Sequence, residues 1–378
     1  VLQFLVCAWV FGQVTAFAAR LGCSRGVQYA VTAFFALDPI WGAFIQTQVK
    51  DTLYTGLFVL FVLKTADLLL FPQKWQGNRP RLTAYAVLGV LCCLLRKNGI
   101  YAVVPMLLVS ACTVSEKRLR RPVLAVLLAV CIGSFGFDMF TEKVLDIPAG
   151  SVGEALSVPM QQTARYIRDY GNEVTDDERT AIEKALDYDA IAQSYMPELS
   201  DGVKQYYKNP GKGDLARYML VWAKMLLKHP VCYFEATHAN SHGYYTITKC
   251  RAINDYYTFN NDICMEMSEM NVHYLDKSGY LRYAFVQALS AFEKLPLVGL
   301  TTSIGFMAWL TAVLGLWLAR CKAKPVLPVF IGLGIFWLTC IASPVNDCMR
   351  YFLPVAGCLP LVFCLAAVFS REKSEITV

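Results

Sequence analysis

The sequence predicts an all-α fold: a polytopic transmembrane helix bundle that carries one large, mostly helical extracytoplasmic domain. Hydrophobic residues make up 56% of the 378 residues and charged residues only 17%, whereas soluble proteins are about 25% charged. Long apolar runs fill both ends of the chain, and the polar stretch 139–297 separates them. Short basic clusters interrupt the apolar runs, as expected for loops between membrane spans.

A membrane-spanning helix needs about 20 apolar residues, with about 17 as a lower limit. On this basis we expect about nine spans in this fragment. The fourth and fifth are short, and Arg96, Lys97 and Asn98 separate them. The predicted spans are 1–19, 27–46, 52–71, 82–95, 99–115, 122–138, 298–319, 325–342 and 350–370.

The basic residues of short loops predict the orientation, because cytoplasmic loops are enriched in Lys and Arg. With nine alternating spans, five basic clusters fall on one side, which is then the cytoplasm. The polar stretch 139–297 falls on the other side and holds 21 of the 29 acidic residues but 16 of the 35 basic ones. We therefore expect a multi-pass protein of the plasma (inner) membrane. Val1 would also lie outside, so we expect the chain to be N-terminally truncated, with a further span upstream.

The predicted domains follow the same alternation. Residues 1–138 form the first part of the bundle with about six spans, and 139–297 form the extracytoplasmic domain. Residues 298–370 supply the last three spans, and 371–378 form a cytoplasmic tail. Inside the polar domain, Thr175 and Glu178 have the spacing of a helix capping box.

Several functional classes are disfavoured by the sequence. The net charge of +6 does not indicate nucleic-acid binding, because the basic residues sit in short loops. The sequence has no nucleophile elbow, Walker A motif or dinucleotide-binding glycine motif, and no cysteine pair with the spacing of a zinc site. A disulfide among the cysteines on the outer side stays open as an alternative; these are Cys232, Cys250, Cys264 and Cys348.

Polar residues collect where predicted spans meet the outer face. Basic side chains at an outer boundary run against the orientation rule, and Arg and Lys are good ligands for phosphate. A neighbouring carboxylate can hold a divalent cation or accept a proton. We therefore expect these residues to converge, although interfacial side chains that pair with lipid headgroups are the simpler interpretation. They are Lys50, Asp51, Arg96, Lys97, Asn98, Arg350 and Tyr351.

Asp51 could have a chemical role. It could instead pair with Lys50 or cap the helix that follows, where an acid near the positive helix end contributes less than about 1 kcal/mol. Lys64 and Asp67 are three residues apart in the third span, and we interpret them as a salt-bridged inner helix end. Gln161 and Gln162 open the polar domain, where they could hydrogen-bond a sugar or belong to a helix start.

These segments resemble the GT-C class of membrane glycosyltransferases, and in particular a bacterial branch that uses polyprenyl-phosphate sugars. The resemblance covers nearly the whole chain. It depends on Pro39 before Lys50-Asp51, Leu95-Arg-Lys-Asn-Gly-Ile100, Ser157-Val-Pro-Met-Gln-Gln162, Lys228-His-Pro230, and Ser343-Pro344 through Arg350-Tyr351.

The resemblance implies transfer of a sugar from a polyprenyl-phosphate-linked donor to an envelope glycan, lipid or protein acceptor at the outer face of the lipid bilayer. It implies a principal catalytic acid upstream of Val1, with Asp51 as a second acid or as a ligand of Mg²⁺ or Mn²⁺. Arg96, Lys97 and Arg350 would bind the lipid phosphate. The alternatives are a transporter or flippase, and a non-catalytic envelope-assembly protein.

Overall fold

The structure is a computed structural model that describes residues 1–47, 49–148, 150–247 and 279–376. Regular secondary structure in these ranges is helical, as the sequence predicts. The α-helices are α1 Leu2–Arg20, α2 Arg25–Leu37, α3 Pro39–Gln46, α4 Lys50–Leu70, α5 Arg79–Leu95, α6 Gly99–Thr113, α7 Lys117–Lys143, α8 Ser157–Tyr170, α9 Asp176–Ala185, α10 Tyr188–Gln193, α11 Asp201–Lys204, α12 Lys212–Lys228, α13 Pro230–Ser241, α14 Tyr280–Glu293, α15 Ile304–Arg320, α16 Leu327–Ile341 and α17 Met349–Ile376.

Five helical segments of the described chain are long and apolar enough to cross a membrane. They correspond to five of the predicted spans, and two shorter apolar helices, α6 and α15, correspond to two more. A lipid bilayer is therefore the environment that this composition fits. The five are Leu2–Arg20, Lys50–Leu70, Lys117–Lys143, Lys324–Ile341 and Met349–Ser370.

The prediction of one continuous span over 27–46 is wrong. The chain forms two short helices there, α2 and α3, which meet at Asp38 and Pro39. The Asp38 carboxylate accepts a hydrogen bond from the backbone N–H of Ile40 at 3.0 Å and so caps α3. Pro39 lacks an N–H and occupies the first turn of α3, a position that suits proline. Because the whole segment is apolar, its composition did not indicate that one helix ends and another begins within it.

The described chain divides into two compact units. Unit 1 comprises Val1–Ser134, Thr246–Phe336 and Met349–Val378, and unit 2 comprises Phe135–Tyr245 and Trp337–Cys348. The predicted polar domain, 139–297, therefore differs from unit 2 at its C-terminal boundary.

Unit 2 includes a segment near the chain's end because that segment is hydrogen-bonded into it. Asn240 donates to the carbonyl of Ser343, and the hydroxyl of Tyr244 donates to the carbonyl of Val345, both at 2.8 Å. These partners are about 100 positions apart in sequence, so helix periodicity gave no signal for the pairing.

Helix α4 is the most enclosed of the five long apolar helices. Of its apolar window, 78% is buried, compared with 22% for α7. It packs against α1, α5, α6 and α17 within unit 1. Its length of 21 residues corresponds to about 32 Å at 1.5 Å per residue, enough to span the hydrocarbon core of a bilayer. Two buried acids, Asp51 and Asp67, lie near its two ends.

Unit 2 is built from helices α8, α9, α12 and α13 around a core rich in tyrosine. Tyr166, Tyr218 and Tyr233 are almost fully buried there. The predicted capping box is confirmed, because Thr175 accepts from the N–H of Glu178 and Glu178 accepts from the N–H of Thr175. Cys232 and Cys348 are buried in this unit and form no disulfide with each other. Cys250 and Cys264 lie outside the described residues.

Candidate phosphate-binding site

The first residue of interest is Asp51, on the first turn of α4. Val49 before it is extended and gives no side-chain cap, so the acid near the positive end of the helix dipole is favourable. Asp51 is only 6% exposed. A buried carboxylate is costly unless it is paired and hydrogen-bonded, and the surrounding helices supply its partners.

Two arginines from distant parts of the chain meet this carboxylate. Arg96 directly follows α5, and its Nη1 lies 3.2 Å from Oδ1 of Asp51. Arg350 is the second residue of α17, and its Nε lies 3.5 Å from Oδ2. Each oxygen of Asp51 therefore faces a different guanidinium group. The predicted convergence of Arg96 and Arg350 on Asp51 is observed.

Aromatic rings surround the Arg96 guanidinium. Its central carbon lies 4.9 Å from the ring centre of Tyr351, 5.5 Å from that of Phe336 and 5.9 Å from that of Tyr54. These distances fall within the range of cation–π attraction. The rings fix the orientation of Arg96 and exclude water from its faces, and its side chain is only 12% exposed.

Arg350 is the more accessible arginine. Its side chain is 38% exposed, and its Nη2 donates to the hydroxyl of Tyr351 at 3.3 Å. Its guanidinium carbon also lies 5.1 Å from the ring centre of Tyr351. Tyr351 thus contacts both arginines and joins them into one cluster with Asp51.

The turn between α5 and α6 depends on Gly99. A Cβ atom at this position would lie 2.6 Å from the carbonyl oxygen of Cys92 and 3.1 Å from the hydroxyl of Tyr54. Glycine therefore lets α6 begin close against the last turn of α5, beside the hydroxyl of Tyr54 on α4. Lys97 and Asn98 are exposed on the same turn, and Lys50 is exposed beside Asp51.

The local electrostatics favour an anion. The cluster contains two guanidinium groups and one carboxylate, and thus a formal excess of one positive charge. Helices α4, α6 and α17 all begin at this cluster, with Lys50, Gly99 and Met349 as their first residues. The N-terminal end of a helix carries partial positive charge and free N–H groups. The arrangement can bind a phosphate group through charge-assisted hydrogen bonds.

The expectation of a divalent cation at Asp51 does not fit this geometry. Among the described residues, no three His, Cys, Asp or Glu side chains gather to hold a metal ion. A cation at Asp51 would have to displace or face the guanidinium groups of Arg96 and Arg350. Mg²⁺ and Ca²⁺ sites instead collect several oxygen ligands.

The two glutamines predicted to contact a sugar lie in unit 2 and form bonds inside it. Gln162 donates to the hydroxyl of Thr237 at 2.8 Å and accepts from the indole N–H of Trp222 at 2.9 Å. Gln161 donates to the carbonyl of Met196. Both side chains are buried, so these contacts give them a structural role in unit 2.

The sequence did not predict the aromatic contacts of Tyr54 and Phe336 with Arg96, or the partners of Asp67. Tyr54 and Phe336 were not distinguished from other apolar residues of their helices, because cation–π contacts leave no signal in spacing. Asp67 pairs with Arg20 at 3.0 Å and accepts from the indole N–H of Trp75 at 2.9 Å. The predicted partner, Lys64, instead lines a cavity.

The described chain is helical, with five helices apolar enough to cross a membrane, and Arg96 and Arg350 flank the buried Asp51 at one end of α4. By sequence, the chain belongs to a family of unknown function, DUF6020, whose profile matches residues 1–377. No curated protein and no solved structure shows significant similarity to the chain.

Proposed function

We propose that the protein is a membrane glycosyltransferase that moves a sugar from a polyprenyl-phosphate donor to a cell-envelope acceptor at the outer face of the membrane. One observation carries this proposal: Arg96 and Arg350, from separate helices, converge on Asp51 at a point where three helices begin. Such a cationic cluster suits the phosphate of a lipid-linked sugar.

In the proposed reaction, the oxygen of an acceptor hydroxyl forms a bond to the anomeric carbon of the sugar. The bond between that carbon and the phosphate oxygen breaks, and polyprenyl phosphate leaves with the electron pair. The hydroxyl proton passes to a general base. The leaving phosphate gains negative charge, and the two guanidinium groups stabilise that charge in a water-poor site.

Asp51 has a positioning role in this proposal. Its two oxygens face Arg96 and Arg350, so it is poorly placed to take the proton of an acceptor. It holds the two guanidinium groups at a fixed separation before the donor binds. This preorganisation reduces the cost of ordering two long side chains when the phosphate arrives.

The proposed topology follows from the distribution of charged residues. The basic loops face the cytoplasm, and the predicted outer loops, including those at Lys50-Asp51 and Arg96–Asn98, face the outside. An acceptor from the envelope and a donor headgroup then reach the same compartment.

The test is a transfer assay with the full-length protein in lipid nanodiscs. A panel of polyprenyl-phosphate sugars is supplied together with envelope acceptors, and mass spectrometry measures the release of polyprenyl phosphate. We expect release with at least one donor, and a fall of about 100- to 1,000-fold in the Arg350→Gln variant, as for loss of one charge-stabilising donor. Arg217→Gln is the matched control, because Arg217 is an exposed arginine of unit 2.

Two results would overturn the proposal. One is equal release by the wild type and the Arg350→Gln variant, which would remove the arginine cluster from the reaction. The other is retention of polyprenyl-phosphate sugar without transfer to any acceptor, which would favour a lipid transporter.

A further inference from the structure

A second feature lies near the opposite end of α4 from Asp51. A cavity of about 540 Å³ opens there between α1, α4 and α5. Its size is within the range of small-molecule sites, about 300–1,000 Å³. Its lining residues are Trp9, Leu60, Lys64, Trp75, Arg81, Ala84, Tyr85, Val87, Leu88 and Leu91.

The cavity has an enclosed floor and an exposed apolar rim. Trp75 and Tyr85 are almost fully buried and form part of its floor. Trp9, Val87 and Leu91 are 55%, 52% and 40% exposed, respectively. Since α1 is one of the helices apolar enough to cross a membrane, this rim is open to lipid chains.

Two cations line this otherwise apolar cavity. Lys64 projects from α4, and in the described part of the chain no carboxylate is recorded within ion-pair distance of it. The acid three residues later, Asp67, is bound instead by Arg20 and by the indole of Trp75. The cavity therefore carries a positive charge that the neighbouring acid does not pair with directly.

Arg81 is held in place beside Lys64. Its Nη1 donates to the carbonyl of Lys74 at 3.1 Å, and its guanidinium carbon lies 5.2 Å from the ring centre of Trp75. These contacts fix the orientation of the guanidinium without neutralising its charge.

We propose that this cavity binds an anionic phospholipid, whose phosphate pairs with Lys64 and Arg81 and whose acyl chain lies against Leu60, Leu88 and Leu91. Charge complementarity and the apolar rim together identify this occupant. Basic pockets between membrane helices suit anionic headgroups. Lys74 and Arg79, which lie close to this end of α4 in sequence, add to the attraction for anionic lipid. The site does not depend on the proposed glycosyltransferase activity.

The experiment measures lipid retention by the full-length protein. The nanodiscs contain phosphatidylcholine with about 20% phosphatidylglycerol, an anionic lipid. The protein is released from them into the gas phase for native mass spectrometry. We expect the wild type to retain one phosphatidylglycerol in preference to phosphatidylcholine. The Lys64→Gln and Arg81→Gln variants should each retain about tenfold less, the effect of losing about 1.4 kcal/mol of binding free energy.

Controls separate a specific site from general attraction. Arg121→Gln removes an exposed arginine of α7 outside the cavity and should leave lipid retention unchanged. Lys64→Arg keeps the positive charge and should retain phosphatidylglycerol as the wild type does. Equal retention of the two lipids by the wild type would overturn the proposal. This comparison uses the wild type alone, so it does not depend on whether the variants fold. If polyprenyl phosphate is added to the nanodiscs and the Lys64→Gln variant loses that lipid instead of phosphatidylglycerol, the choice of occupant is overturned.

Discussion

Asp51 and Asp67 lie on the same helix, α4, and each is paired with arginine from a different part of the chain. Asp51 contacts Arg96 and Arg350, and Asp67 contacts Arg20. The two acids are 16 positions apart, about 24 Å at 1.5 Å per residue. Ion pairs therefore join α4 to other parts of unit 1 near both of its ends.

Replacing Asp51 with asparagine tests the first of these connections. The change keeps the shape but removes the charge that Arg96 and Arg350 face. We expect a loss of about 1–3 kcal/mol of stability, because the two guanidinium groups would lose the negative charge that they face, together with loss of sugar transfer. Thermal unfolding of the nanodisc protein measures the first effect. Asp189→Asn, which breaks an exposed pair with Arg179, is the control and should change stability by less than about 0.5 kcal/mol. An unchanged melting temperature for Asp51→Asn would show that the buried pairs contribute little.

Gly99 and Gly136 should respond to alanine with opposite signs. At Gly99, the new methyl group would overlap the carbonyl oxygen of Cys92 and crowd Tyr54, so Gly99→Ala should cost about 1–3 kcal/mol. At Gly136, no atom lies within 4 Å of the new Cβ, and helical alanine is favoured over glycine by about 0.5–1 kcal/mol. Melting temperatures of the two variants check the signs. A stabilising Gly99→Ala would contradict the close approach of the α5–α6 turn to α4.

The stability of unit 2 should decrease at low pH through Glu178. Burial tends to raise the pKa of this carboxyl, but hydrogen bonds from Lys228 and from the Thr175 backbone outweigh burial, so the pKa lies below its ordinary value of 4.5. A depressed pKa stabilises the folded state above about pH 4.5, and this contribution is lost as the pH falls through the folded-state pKa.

Cys232 gives a measurement of this effect, because it is buried in unit 2. In a variant with Cys232 as its only cysteine, the rate of thiol labelling reports the opening of the unit. Labelling should accelerate as the pH is lowered below 4.5, after correction for the intrinsic reactivity of the thiol. Glu178→Gln should label faster at neutral pH and lose this dependence. An identical pH profile in the two proteins would exclude Glu178 as the group responsible.

The topology can be tested with single cysteines in a background without the native ones. Arg118 and Gln205 are exposed positions, whereas Leu119 between the same basic residues is only 1% exposed. An impermeant maleimide applied to intact cells should label Arg118→Cys poorly and Gln205→Cys well. The reverse pattern would place unit 2 in the cytoplasm and contradict the proposed function.

The sequence predicted the meeting of Asp51, Arg96 and Arg350, because these residues share a depth at the ends of apolar segments. It did not predict the choice of partner at Asp67. Spacing along one helix favoured Lys64, but Arg20 approaches from α1, and pairing between helices leaves no periodic signal. The break at Asp38-Pro39 was missed for a related reason. Hydropathy is averaged over a window of residues, whereas a single capping residue and one proline are enough to start a new helix.

The contact between Asp51 and Arg350 also bears on the order in which the protein is made. Almost 300 residues separate the two, and Arg350 is near the start of the last helix. During synthesis, α4 is complete long before this partner exists, and Asp51 then has Arg96 alone. A chain that stops before α17 would hold Asp51 and Arg96 as a pair without net charge. The excess positive charge that suits an anion thus arises only when Arg350 joins them, so the cluster becomes attractive to phosphate late in the synthesis of the chain.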